Sequence, residues 1–114
     1  MEDKKTLHIL WTNADVDTSL HMVMMYASNC MIKQWWDEVT VIVWGATARL
    51  ACENEAVQKE IEVAMNVGVR FSACVSCARR LGVEEKLKSM GIECISWGPP
   101  LTEILQSGGK LLTV

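Results

Sequence analysis

The residues best equipped for chemistry in this sequence are the two thiols of Cys74-Val-Ser-Cys77. Thiols three residues apart can exchange the roles of nucleophile and leaving group, and the thiolate is the reactive form of each. The pair closes an apolar run, Val69–Ala73, and opens a helical stretch that continues through Arg80. A thiol at such a junction faces unpaired amides and the positive end of the helix dipole, which favour thiolate over thiol. Arg79 and Arg80 follow closely and can add positive potential. The helix-end effect favours Cys74, and the nearness of Arg80 favours Cys77.

Several kinds of chemistry suit a CxxC pair. A thioredoxin-like dithiol usually follows the first strand of its βαβ pattern, whereas this pair follows the third. A structural zinc site needs four ligands. With no second CxxC and no HxxxH, His8, His21 and Cys52 would have to converge on the pair. A third reading is a single nucleophilic cysteine that carries sulfur as a persulfide, and the plain alternative is two small residues packing at a strand end. Cys30, Cys52 and Cys94 fall on an apolar helix, near a helix end and in a strand, where cysteine serves as a small core residue. Asp15 and Asp17 have the chemistry of helix caps, although Asp15 also stands beside the expected cleft. Neither a P-loop nor a GxGxxG turn is present, and no metal or cofactor is expected.

The elements that position these residues alternate regularly. Thr6–Trp11 is a near-continuous apolar run that reads as a buried strand. Asp17 or Thr18 can cap a helix running to about Gln34, with Leu20, Val23, Met24, Ala27, Met31 and Trp35 on its apolar face. Val39–Trp44 is β-branched and the clearest strand. A short helix over Ala46–Cys52 precedes one capped by Asn54 that runs to about Asn66, with Glu55 and Lys59 spaced for an ion pair. The third strand, Val69–Ala73, leads into the cysteine turn, and Val83–Met90 continues the helical stretch after Gly82. Glu93–Ser96, a proline-started helix to about Gln106, and Lys110–Val114 complete the chain.

This alternation calls for an α/β three-layer sandwich with a five-stranded, mostly parallel sheet, in a single domain over residues 1–114. Ligands in such sheets bind outside the carboxyl ends of the strands. Those ends bring Asn13, Asp15, Gly45 and Cys74 to one edge.

Composition narrows the class. The 114 residues carry a formal net charge of −3, which argues against a nucleic-acid surface or a polybasic membrane patch. The opening Met-Glu-Asp-Lys-Lys enters a strand without an apolar leader, and no stretch has the length of a membrane span. A reduced, cytoplasmic domain is expected, since an odd count of five cysteines does not suggest a disulfide framework. Half the residues are apolar, and adjacent Trp35 and Trp36 cannot both face one helix core. A homo-oligomer that hides this surface follows.

The chain resembles the DsrE/DsrF-like sulfur-relay family, which includes TusD-type subunits and YchN-like proteins. The resemblance extends over the opening strand, Asn13–Asp17, the VTVIVWG strand, the cysteine turn and the closing GKLLTV strand. Its most specific stretch is Cys74-Val-Ser-Cys-Ala-Arg-Arg-Leu-Gly-Val83, where Cys74 stands eight residues before Gly82. The resemblance implies a five-stranded parallel α/β/α sandwich assembled as a homotrimer or homohexamer. It also implies sulfur acceptance at Cys74, with Cys77 matching a second cysteine of YchN-like members. The partners it implies are sulfur donor and acceptor proteins. On strand-edge position and this spacing, Cys74 is expected to react first, supported by Cys77, Arg79 or Arg80, Asn13, Asp15 and Gly45. The competing expectation is a non-enzymatic oligomeric module that binds a small ligand in the same cleft.

Overall fold

The computed structural model describes residues 4–114. Strands β1 (Thr6–Trp11), β2 (Glu38–Val43), β3 (Arg70–Cys74), β4 (Glu93–Ile95) and β5 (Lys110–Thr113) form one sheet in the order β4-β3-β2-β1-β5. Every neighbouring pair is parallel. Between β1 and β2 the chain runs through α1 (Val16–Thr18), a π-helical turn (Ser19–Met24) and α2 (Met25–Ile32). Helices α3 (Ala46–Glu53) and α4 (Glu55–Asn66) link β2 to β3. Helices α5 (Val75–Arg80) and α6 (Glu84–Ser89) link β3 to β4, and α7 (Gly98–Ser107) links β4 to β5.

Strand alternation divides the apolar residues between two faces. Leu7, Ile9 and Trp11 join Val39, Val41, Val43, Phe71 and Ala73 in the main core. Val23 and Ala27, Val57 and Ile61, and Ala78 and Leu87 cover that face from the three successive connections. The opposite face holds a smaller cluster of Ile42, Cys74 and Trp97, against which Leu10, Ile95 and Ile104 of α7 pack. If all crossovers share one hand, the three forward steps from β1 to β4 must lie on one face and the return step to β5 on the other. The two clusters are divided in that way, so helices cover both faces unequally.

Local signals account for most boundaries. The Asn54 side chain accepts a hydrogen bond from the Val57 amide at 3.0 Å and starts α4 as its spacing predicts. Gly68 follows α4 with φ of +105°, a conformation that disfavours any residue with a Cβ. The first helix departs from expectation at both ends. Its cap is Asp15 rather than Asp17 or Thr18, and α2 stops at Ile32, so Trp35 and Trp36 lie in the following turn. The amides of both Trp residues donate to the Cys30 carbonyl, at 2.9 and 3.5 Å. Trp36 packs on the main core and donates through its indole N–H to the Tyr26 hydroxyl, whereas Trp35 is 52% exposed. The Glu55–Lys59 pair is not among the ion pairs of the described residues. Both partners sit on a solvated helix, where such a pair contributes only about 0.3–0.5 kcal/mol.

Candidate functional site

The loop leaving β1 is fixed by a buried hydroxyl. Ser19 Oγ accepts from the Trp11 indole N–H at 3.0 Å and donates to the Asn13 carbonyl at 3.1 Å. The Asn13 side chain accepts from the Asp15 amide at 2.9 Å, and Asp15 in turn accepts from the Thr18 amide and hydroxyl, each at 2.9 Å. Those hydrogen bonds, the backbone one foremost, hold the Asp15 carboxyl below its ordinary range. Asn13 and Asp15 therefore shape the edge of the site, with Asp15 committed to its helix. Across from them, Thr47 donates to the Trp11 carbonyl at 2.7 Å and ties the start of α3 to the end of β1.

Gly45 lets β2 turn into α3. Its φ of +75° and ψ of −135° suit glycine alone, and a Cβ built there would meet nothing within 4 Å. The bare backbone at Gly45 and the side of α3 form one wall of a cleft of about 570 Å³, and α5 forms the other. Cys77 and Arg80 line it from α5, and Arg49 lines it from α3. The remaining surface is mostly apolar, with Ala14, Leu50 and Leu81.

The two cysteines of the turn have different surroundings. Cys74 ends β3, serves as the N-cap of α5 without a side-chain capping bond, and is 5% exposed against Ile42 and Trp97. Trp97 is held over it by an indole hydrogen bond of 2.8 Å to Ser72 Oγ. Cys77, one turn further along, packs on the same cluster but is only partly buried and also opens on the cleft. All five cysteines are free thiols. Burial pushes the Cys30, Cys52 and Cys94 thiols up, so these three stay protonated at neutral pH and fit a packing role.

The cationic groups also sort themselves. Arg79 Nε lies 3.2 Å from Glu84 Oε1, so it serves the α5–α6 junction rather than the thiols. Arg80 has no ion pair among the described residues. Arg49 approaches Glu53 at 4.0 Å with both side chains more than half exposed, a loose contact that an incoming anion can replace. The rim thus carries two guanidinium groups against one carboxylate. Sequence reading missed Arg49. The available signal was the spacing of Ala46, Arg49, Leu50 and Glu53, which puts all four on the face of α3 that Gly45 aims at the cleft. His21 lies elsewhere, in a groove between the π-helical turn and α4. Among the described residues no group of three or more His, Cys, Asp or Glu side chains is arranged to hold a metal ion.

A parallel five-stranded sandwich with a cysteine-bearing cleft at its carboxyl edge defines the class, and comparison with known proteins makes the kinship more specific. The chain is 36% identical to the conserved protein of unknown function BT1422 from Bacteroides thetaiotaomicron, over 96% of this chain and 95% of that one, with a TM-score of 0.94. It belongs to the same family as that protein. The fold is shared with MTH1491 from Methanobacterium thermoautotrophicum, a protein of unknown function, at a TM-score of 0.75 and 15% identity. It is shared also with the ychN protein of E. coli, at 0.72 and 15% identity; each comparison covers 98% of this chain and 100% of the other. No family model and no curated protein matches the sequence.

Proposed function

We propose that the protein is a sulfur carrier of the DsrE-like kind, loaded at the Cys74/Cys77 turn in a reducing, cytoplasmic setting, with Cys77 as the thiol that meets the donor. The observation that carries this reading is the opening of Cys77 on a cleft whose rim bears Arg49 and Arg80. Persulfide and thiolate sulfur are anionic at neutral pH, and a guanidinium rim both attracts and stabilises them. In the loading step the Cys77 thiolate attacks the terminal sulfur of a donor persulfide. A new S–S bond forms at Cys77, the donor's S–S bond breaks, and the donor leaves as a thiolate. Cys74 and Cys77 pack in one cluster with Ile42 and Trp97, which makes Cys74 the candidate resolving thiol. Its attack on Cys77 Sγ would release hydrosulfide and leave the two cysteines bridged.

The order of reactivity proposed here reverses the one expected from helix-end position. A helix of six residues has a modest dipole, and its end effect contributes about 0.3–1 kcal/mol. Burial of Cys74 under Trp97 costs an attacking reagent more than that. Incubation with a small persulfide donor, followed by intact mass measurement, tests the reading. A gain of one sulfur atom that reductant removes supports it. Absence, with every donor, of both a sulfur gain and the two-hydrogen loss of a Cys74–Cys77 bridge would favour a module that binds a small ligand in the same apolar cleft.

The same reading includes self-association as a homotrimer or homohexamer. Met25, Ile32 and Trp35, at 52%, 58% and 52% exposure, concentrate large apolar surface on α2 and the turn after it.

A further inference from the structure

The sheet face opposite the main core is only partly covered. Ile104 of α7 packs on its carboxyl half, with Leu10 and Ile42. Its amino half carries His8, Thr40 and Arg70 side by side on three strands, because His8 is the register partner of Thr40 and Thr40 that of Arg70. One row further along, Ser72 stands beside Glu93. Strand alternation puts all five on one face. They border a cavity of about 570 Å³ with Trp97 as a wall, within the roughly 300–1,000 Å³ typical of small-molecule sites.

Parts of this cavity are rigidly held. The indole of Trp97 donates to Ser72 Oγ at 2.8 Å, and the His8 ring meets it edge-on at a centroid distance of 6.1 Å. Burial lowers the affinity of His8 for a proton despite nearby Glu38, so the imidazole is neutral at pH 7 and offers one donor and one acceptor. Arg70 and Glu93 form no ion pair among the described residues. The one paired charge nearby is Glu38, held at 3.1 Å by Lys4 and close enough to feel Arg70. The lining of the cavity therefore carries one charge of each sign, Arg70 and Glu93. A simple anion would meet Glu93, and a simple cation would meet Arg70. A solute with both charges, and an apolar part to lie against Ile95 beside the edge of Trp97, is complementary to this lining.

We propose that this cavity binds a free α-amino acid with an apolar side chain, Arg70 taking the carboxylate, Glu93 the ammonium and Ile95, beside the edge of Trp97, the side chain. The site is separate from the cysteine cleft and does not depend on sulfur transfer. The test is titration of the ¹⁵N-labelled full chain with L-phenylalanine to about 10 mM, alongside 3-phenylpropionate, which lacks the ammonium, and 2-phenylethylamine, which lacks the carboxylate. L-Phenylalanine should give saturable shifts centred on the Trp97 indole N–H and the amides of Thr40, Arg70 and Glu93. Each half-analogue should bind at least about tenfold more weakly, and so should L-phenylalanine to the Arg70→Ala and Glu93→Gln variants, whose changes lie on the exposed rim. Absence of saturation, equal affinity for either half-analogue, unchanged binding by both variants, or shifts centred elsewhere would overturn the proposal.

Discussion

Alkylation of the native protein at limiting reagent should label Cys77 well ahead of Cys74. Cys77 opens on the cleft, whereas Cys74 is 5% exposed and lies against Ile42 and Trp97. A reagent reaches Cys74 only after Trp97 moves. That opening gives up the indole hydrogen bond to Ser72, about 0.5–1.5 kcal/mol net, and the burial of a large aromatic side chain, about 1.5–3 kcal/mol. An opening cost of about 2–4.5 kcal/mol slows the reaction roughly 30- to 1,600-fold, since about 1.4 kcal/mol is a factor of ten. The helix-end advantage of Cys74 returns less than one such factor. Iodoacetamide labelling followed by peptide mapping reads the ratio directly, and Ser72→Ala should narrow it by freeing the indole. Labelling of Cys74 at a rate equal to or above that of Cys77 would refute the accessibility argument.

Ser72→Ala should also lower stability by about 1–3 kcal/mol in urea unfolding, because it strands a buried indole N–H; a change within error would mean that Trp97 finds another acceptor. Gly45→Ala should cost about 1–3 kcal/mol through backbone strain alone, since a Cβ there meets no atom within 4 Å, and a neutral result would show that the β2–α3 turn relaxes freely. Asp15 has a depressed folded pKa, so its contribution is fully present above the unfolded value and is lost as pH falls through the folded one. Asp15→Ala should therefore destabilise at neutral pH and flatten the acid limb of the stability profile below about pH 4, and an unchanged limb would contradict the capping role. A charge at Trp35, as in Trp35→Glu, should shift the protein toward monomer in light scattering. A wild type that is already monomeric at micromolar concentration would remove the case for self-association.

Much of the fold was legible because neighbouring signals agree. Val39, Val41 and Val43 alternate within a β-branched run, and Asn54 stands alone as a cap before α4, so both elements lie close to where their residues predict. The start of the first helix was harder, because Asp15, Asp17 and Thr18 are all competent caps and the choice depends on Ser19, whose hydroxyl pins the loop to Trp11. Nothing in Ser19–Met24 announces a π-helical turn. The cysteine turn was found from spacing, but the different exposure of its thiols depends on tertiary packing, since both belong to the cluster around Ile42 and Trp97 and only Cys77 also borders the cleft. Alternation after Phe71 and Ala73 already sends Cys74 to the face opposite the main core; what covers it there, Trp97 from the start of α7, is a tertiary contact. The sequence also offers two arginines beside the thiols, and only the later position of Glu84 decides that Arg79 is drawn away.

The most direct test of the sulfur-carrier account is the intact mass of wild type, Cys74→Ser and Cys77→Ser after incubation with a small persulfide donor and removal of excess. The account predicts that Cys74→Ser, which lacks the resolving thiol, gains one sulfur atom released by reductant, that wild type shows either that gain or the two-hydrogen loss of a Cys74–Cys77 bridge, and that Cys77→Ser gains none. A wild type that stays unmodified, or a Cys77→Ser variant that loads as fully as wild type, would contradict it.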